Sequence, residues 1–103
     1  MNHPRRPCIM DVTILLGSSS DLPIAEKCTK ILDHFSVTYQ LRVASAHRSP
    51  VFVEEIINQA EADGCQVFIA MAGLAAALPG AVAALTTKPV IGVPCGGRVP
   101  YDS

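Results

Sequence analysis

The chain is predicted to fold as an α/β domain of three layers, a doubly wound parallel sheet covered by helices on both faces. Three observations carry this expectation. Four apolar runs alternate with segments of helical periodicity, the pattern of successive βαβ units joined by right-handed crossovers. The runs are apolar at consecutive positions, as strands buried on both faces require. Half of the 103 residues are hydrophobic and only 17% are charged, which excludes a disordered chain and provides enough apolar surface for a core.

Residues 1–10 (MNHPRRPCIM) hold two prolines and no period, and read as a loose lead-in to one domain over 11–103. Val12 to Leu16 reads as the first strand. Ser20 or Asp21 is then placed to cap a helix running to about Phe35, with Pro23 tolerated in its first turn. Ile24, Ala25, Cys28, Ile31, Leu32 and Phe35 form one apolar stripe along it. Val37 to Val43 is the second strand, and Ser49-Pro50 opens the next helix, with serine as N-cap and proline at N1. Phe52, Val53, Ile56, Ile57 and Ala60 share a face of that helix, which is expected to end near Gly64. Gln66 to Ala72 is the third strand. Gly73 to Leu85 is alanine-rich and helical in character, with Pro79-Gly80 bending it or delaying its start. Pro89 to Val93 is the fourth strand. The arrangement is a three-layer αβα sandwich of the flavodoxin-like kind. The fourth strand is followed by turn-like residues and no helix, so the domain reads as C-terminally short, or as completed at its open edge by another subunit.

Composition narrows the function classes. A net charge of -1 and an isoelectric point near 6.2 supply no general field for nucleic acid or an anionic membrane, so any anion recognition must be local. Cys8, Cys28, Cys65 and Cys95 are scattered without metal-ligand spacing and read as free thiols in a reducing compartment. No apolar run reaches the roughly 18 residues of a membrane span. Arg5-Arg6 is not followed by the apolar segment of an export signal. The expected location is cytoplasmic.

Chemistry concentrates where strands end. In an open parallel sheet, the turns after the carboxyl ends of the strands share one edge, and small ligands bind there. Gly17-Ser18-Ser19-Ser20-Asp21 follows the first strand and offers a close backbone approach, hydroxyls and a helix N-terminus suited to phosphate. It lacks both the G-x-G-x-x-G spacing of a dinucleotide site and the Gly-Lys-Ser/Thr of a Walker loop. Helix capping alone also accounts for these residues. Ala44-Ser45-Ala46-His47-Arg48 follows the second strand. His47 is suited to proton transfer near neutral pH, and Arg48 to bidentate clamping of a phosphate or carboxylate. Gly73 opens a small-residue segment (GLAAALPG) against whose backbone a ligand could lie, although helix packing explains alanines as well. Gly92 to Gly97 could add a further backbone wall. His3 and His34 carry no such context.

The ordered set GSSSD, SAHRSP, AGLAAALPG and GVP resembles the aminoimidazole ribonucleotide (AIR) carboxylase family of purine biosynthesis, over about residues 11–97. Arg48 points to its N5-carboxyaminoimidazole ribonucleotide (N5-CAIR) mutase branch, whose members resemble S-A-H-R where the CO2-using carboxylases typically show S-A-H-K. The resemblance implies that His47 is the catalytic acid/base. It also implies that Ser18, Ser20, Asp21, Ser45 and Arg48 bind the ribotide, Arg48 through its phosphate. It implies no cofactor and no metal, a small ribonucleotide as partner, no nucleic acid or membrane, and a homo-oligomer, octameric in the family. Two departures stand out: Ala77 replaces a histidine common among mutases, and family members continue well past Ser103. The functional alternatives are direct carboxylation of AIR by CO2 and a catalytically impaired ribotide- or phosphate-binding module.

Overall fold

A computed structural model describes residues 11–44, 50–73 and 78–95. Strand β1 (Val12–Leu16) is followed by a 3-10 turn (Ser19–Asp21) and helix α1 (Leu22–His34). Then come β2 (Tyr39–Val43), α2 (Pro50–Ala62), β3 (Val67–Ala72), α3 (Leu78–Ala83) and β4 (Val90–Pro94). All pairings are parallel and the order is β2-β1-β3-β4. Ile14 pairs with Leu41 on one side and Ile69 on the other, and Ile69 in turn with Ile91. This is the doubly wound, flavodoxin-like arrangement, with the reversal of strand order falling between β1 and β3.

The sheet separates two cores. On one face Leu15, Phe68, Ala70 and Ala72 pack against Val53, Ile56, Ile57 and Ala60 of α2 and Leu78 and Val82 of α3. On the other, Val12, Ile14, Leu16, Ile69 and Met71 meet α1 through Ala25, with Ile24, Cys28 and Leu32 partly buried beside it. Each fully buried large side chain contributes about 1.5–3 kcal/mol relative to exposure, so the two interior strands β1 and β3 anchor both layers.

Three expectations are corrected. The second strand begins at Tyr39, not Val37. The residues before it close α1 instead: Ser36 takes a positive φ of 59°, and the Val37 amide donates to the Leu32 carbonyl at 2.9 Å. That is a Schellman-type stop made without glycine. The α1 stripe is also narrower than the periodicity implied, since Ile31 and Phe35 stand 59% and 69% exposed while polar Thr29 is buried. Phe52 of α2 is likewise exposed, because the buried face centres on Val53, Ile56, Ile57 and Ala60. Helix α2 closes at Gly64 (φ 96°), with the Cys65 amide donating to the Ala60 carbonyl at 3.0 Å. The alanine-rich segment is helical from Leu78, with Pro79 in its first turn, where the missing proline N–H is harmless. The lead-in 1–10 and the Ser49 cap lie outside the described residues.

Candidate functional site

The carboxyl ends of β1, β3 and β4 are stitched together just beyond the strands. The Gly17 amide donates to the Met71 carbonyl at 2.8 Å, and the Cys95 amide to the Ala72 carbonyl at 2.7 Å. A Cβ on Gly17 would stand 3.2 Å from the Ala72 Cβ, closer than ordinary contact, so the glycine and the alanine let β1 and β3 approach at the point where strand order reverses. In open α/β sheets the crevice outside such a point is the ligand-binding place.

The turn after β1 is organised by Ser18, which was not the expected cap. Its backbone is extended (φ -158°, ψ 150°), and its Oγ accepts from the Ser20 amide at 3.2 Å. The Ser18 and Ser20 hydroxyls lie 3.0 Å apart, and both residues are exposed at the edge. Asp21 holds the N-cap position of α1 but makes no side-chain cap hydrogen bond. Its helical backbone (φ -88°, ψ -1°) differs from the extended conformation with which a cap side chain reaches back. The expected N-cap position at Asp21 is thus found, but without a cap hydrogen bond from its side chain, and the Asp21 carboxylate is left free of the capping role although only 8% of the residue is exposed.

Cys95 joins this cluster; the sequence reading gave its thiol no role and placed it only within the Gly92 to Gly97 stretch read as a backbone wall. It is buried at the first position after β4. Burial pushes its thiol above the ordinary value, and the negative charge of Asp21 pushes the same way. Asp21 therefore lies within electrostatic reach of the end of β4. The signal in the sequence was positional: Cys95 follows its strand as Gly17 and Gly73 follow theirs. Gly73 is exposed, and a Cβ there would meet only the Cys95 carbonyl, at 3.9 Å, leaving room for a ligand beside the backbone.

Of the predicted site residues, Ser18, Ser20, Asp21 and Gly73 come to one edge of the sheet. Ser45, His47 and Arg48 lie outside the described residues, as does Ala77. Ala44, which leads into their loop, is tied to that edge by its amide, which donates to the Leu16 carbonyl at 2.7 Å. Among the described residues no group of three His, Cys, Asp or Glu side chains could hold a metal ion. Two surface hollows, about 320 Å³ beside Glu61 and Thr86 and about 180 Å³ beside Arg42 and Glu55, are lined by none of these site residues.

Fold and site together define a flavodoxin-like α/β domain that presents hydroxyls, a carboxylate and open backbone at its topological switch point. The AIR carboxylase family model matches residues 11–100, and the chain belongs to that family. It is 58% identical over 88 residues to the N5-carboxyaminoimidazole ribonucleotide mutase of Methanocaldococcus jannaschii, a match covering 85% of this chain and 54% of the relative. It is 46% identical over 89 residues to the mutase of Vibrio cholerae, covering 86% and 55%. A crystal structure of Treponema denticola PurE superposes with a TM-score of 0.78 at 36% identity, covering 84% of this chain and 55% of that one. The chain spans about half the length of the curated relatives it matches.

Proposed function

We propose that the chain acts in purine biosynthesis as an N5-carboxyaminoimidazole ribonucleotide mutase, an isomerase that moves a carboxylate from N5 to C4 of the imidazole. The observation that carries this reading is the meeting of Ser18, Ser20, Asp21 and Gly73 at the switch point of a chain whose relatives bear that name. In the reaction the N5–carboxylate bond breaks and CO2 is held in the site while N5 gains a proton. CO2 then bonds to C4, which gives up its proton. Atoms and charge balance without redox chemistry or a cofactor. The carbamate is intrinsically labile, so the protein supplies confinement, orientation and proton transfer.

His47 is the acid/base for both protons. Ser18, Ser20, Asp21, Ser45 and Gly73 hold the ribotide, and Arg48 takes its phosphate. The working form is a homo-oligomer in the cytoplasm, a location in keeping with the lack of any helix, among the described residues, long and apolar enough to cross a membrane.

The test is incubation of the chain with N5-CAIR and, separately, with AIR plus bicarbonate. Carboxylated AIR formed from N5-CAIR in excess of the spontaneous rate supports the mutase. Product formed only from AIR and bicarbonate would make the chain a lyase of the carboxylase type, and ribotide binding without turnover would make it a binding module. In an active chain, His47→Asn is expected to lower turnover by roughly 10²–10⁴-fold while ribotide binding survives. Arg48→Ala is expected to weaken ribotide binding, with inorganic phosphate competing at the same site.

A further inference from the structure

Along the β2 margin of the sheet, β2 and α2 leave a hollow of about 180 Å³ lined by Arg42, Phe52, Glu55, Ile56 and Gln59. Register and helical period explain how these residues meet. Arg42 pairs with Leu15, and residues paired across a sheet point to the same face. Leu15 packs against α2, so Arg42 rises on the α2 side of β2. On α2, Phe52, Glu55, Ile56 and Gln59 stand at i, i+3, i+4 and i+7, which makes one stripe along the helix. Ile56 is buried and forms the floor, whereas Phe52, Glu55 and Gln59 are exposed along the flank that borders Arg42.

The charges of this hollow are not used by the protein itself. Gln40, two residues before Arg42 on the same face, gives its amide to the Thr13 hydroxyl at 3.2 Å. Gln59 gives its Nε2 to the Asp63 carboxylate at 3.4 Å, which leaves its amide oxygen to accept. Arg42 and Glu55 make no ion pair and no side-chain hydrogen bond among the described residues, although they border one small space. The half-buried guanidinium thus keeps its planar fork of donors, a shape that matches a carboxylate in bidentate fashion.

We infer that this hollow binds a free α-amino acid with an aliphatic side chain. The ligand carboxylate takes the Arg42 fork, its ammonium meets the Glu55 carboxylate and the Gln59 amide oxygen, and its side chain lies on Ile56 and Phe52. Three observations select this class. A cationic and an anionic group border the same hollow, and a free amino acid carries both complementary charges on one carbon, whereas a peptide terminus supplies one of them. Glu55 opposes a phosphate or any other simple anion at Arg42. The volume falls below the roughly 300–1,000 Å³ of pockets for drug-sized ligands, which leaves no room for a nucleotide. None of Ser18, Ser20, Asp21 or Gly73 lines the hollow, and the inference does not rest on the proposed activity.

The experiment titrates L-leucine into the isotopically labelled 103-residue chain and follows the amide signals by NMR. Isocaproate and isoamylamine, which keep the side chain but lack the ammonium and the carboxylate respectively, serve as matched probes. Leucine is expected to give saturable shifts at Arg42, Phe52 and Gln59. Each truncated probe should bind about tenfold more weakly or worse, since each forfeits a charge-assisted contact. Arg42→Lys keeps the charge but loses the fork, and Glu55→Gln changes only an exposed position, so both variants should fold. Each should weaken leucine binding by about tenfold. The inference is overturned if leucine at millimolar concentration moves none of these signals, if isocaproate binds as tightly as leucine, or if Glu55→Gln leaves the affinity unchanged. It is equally overturned if the same signals shift with protein concentration alone, because a second copy of the chain would then occupy the hollow.

Discussion

The two faces of the sheet are finished to different degrees. On the α2/α3 face, two helices close over Leu15, Phe68, Ala70 and Ala72, and the residues in contact are almost all buried. On the other face, α1 is the one helix among the described residues, and Ile24, Cys28, Leu32, Tyr39, Leu41 and Val93 around it are only partly buried. The sequence is comparably apolar in both places. What differs is how many helices the topology delivers to each side, so burial here is set by connectivity more than by hydrophobicity.

The sharpest test of that contrast uses two phenylalanines. Phe68→Ala, at a fully buried position of β3, is expected to lose about 3–5 kcal/mol. Phe35→Ala, on the exposed flank of α1, should stay within about 0.5 kcal/mol. Urea denaturation of the two variants measures both, and equal losses would mean that the α1 flank is closed in solution.

A pair of glycines probes the α3 contact. A Cβ on Gly92 would meet the Pro79 side chain at 3.1 Å, whereas one on Gly80 meets nothing within 4 Å. Gly92→Ala should therefore destabilise by about 1–3 kcal/mol through overpacking, and Gly80→Ala should stabilise by about 0.4–1 kcal/mol. Thermal melts of the two variants would shift in opposite directions.

The site edge is tested through the thiols. Cys95 is raised by burial and then by the Asp21 charge, whereas Cys28 is raised by burial alone. Asp21→Asn should lower the pH at which Cys95 becomes alkylated and leave that of Cys28 in place, as read by mass spectrometry of alkylation against pH. An unchanged Cys95 profile would separate Asp21 from the end of β4.

The smallest effect belongs to Tyr39, whose hydroxyl is raised from its ordinary value of 10.0 chiefly by donating to Asp33. A raised value means that the folded chain holds this proton more tightly than the unfolded one. The contribution is thus complete below about pH 10 and is lost as pH rises through the folded value. Tyr39→Phe should flatten that alkaline part of the stability profile in denaturant titrations, with little change in the slope near neutrality.

Particular residues show how far the sequence could be read. Val12 to Leu16 and the core of the third strand were plain, because unbroken apolar runs that short leave few alternatives. Phe52, Ile31 and Phe35 were placed inside, because periodicity defines an apolar stripe but not how wide a surface waits beneath it. Val37 was taken for strand because nothing local announces that Ser36 will adopt a left-handed turn. At the candidate site, Ser18, Ser20, Asp21 and Gly73 were found from their positions after apolar runs, but the division of labour among them was not. Ser18 rather than Asp21 organises the turn, since a cap depends on backbone angles that residue type only biases. Cys95 was placed only in a backbone wall and its thiol given no role, because its surroundings come from β4 lying beside β3, a neighbour far away in sequence.

By itself the sequence determined the order and type of the elements, the parallel doubly wound class, and the family through its four ordered motifs. These rest on local patterns: hydrophobic period, glycine and proline punctuation, and short runs of chemistry. Tertiary structure alone decided the strand order β2-β1-β3-β4, the close approach of Gly17 to Ala72, the bearing of the Asp21 charge on Cys95, and the uneven burial on the two faces of the sheet. Those depend on which distant segments pair and on the handedness of the connections between them, and neither is written in any single stretch of residues.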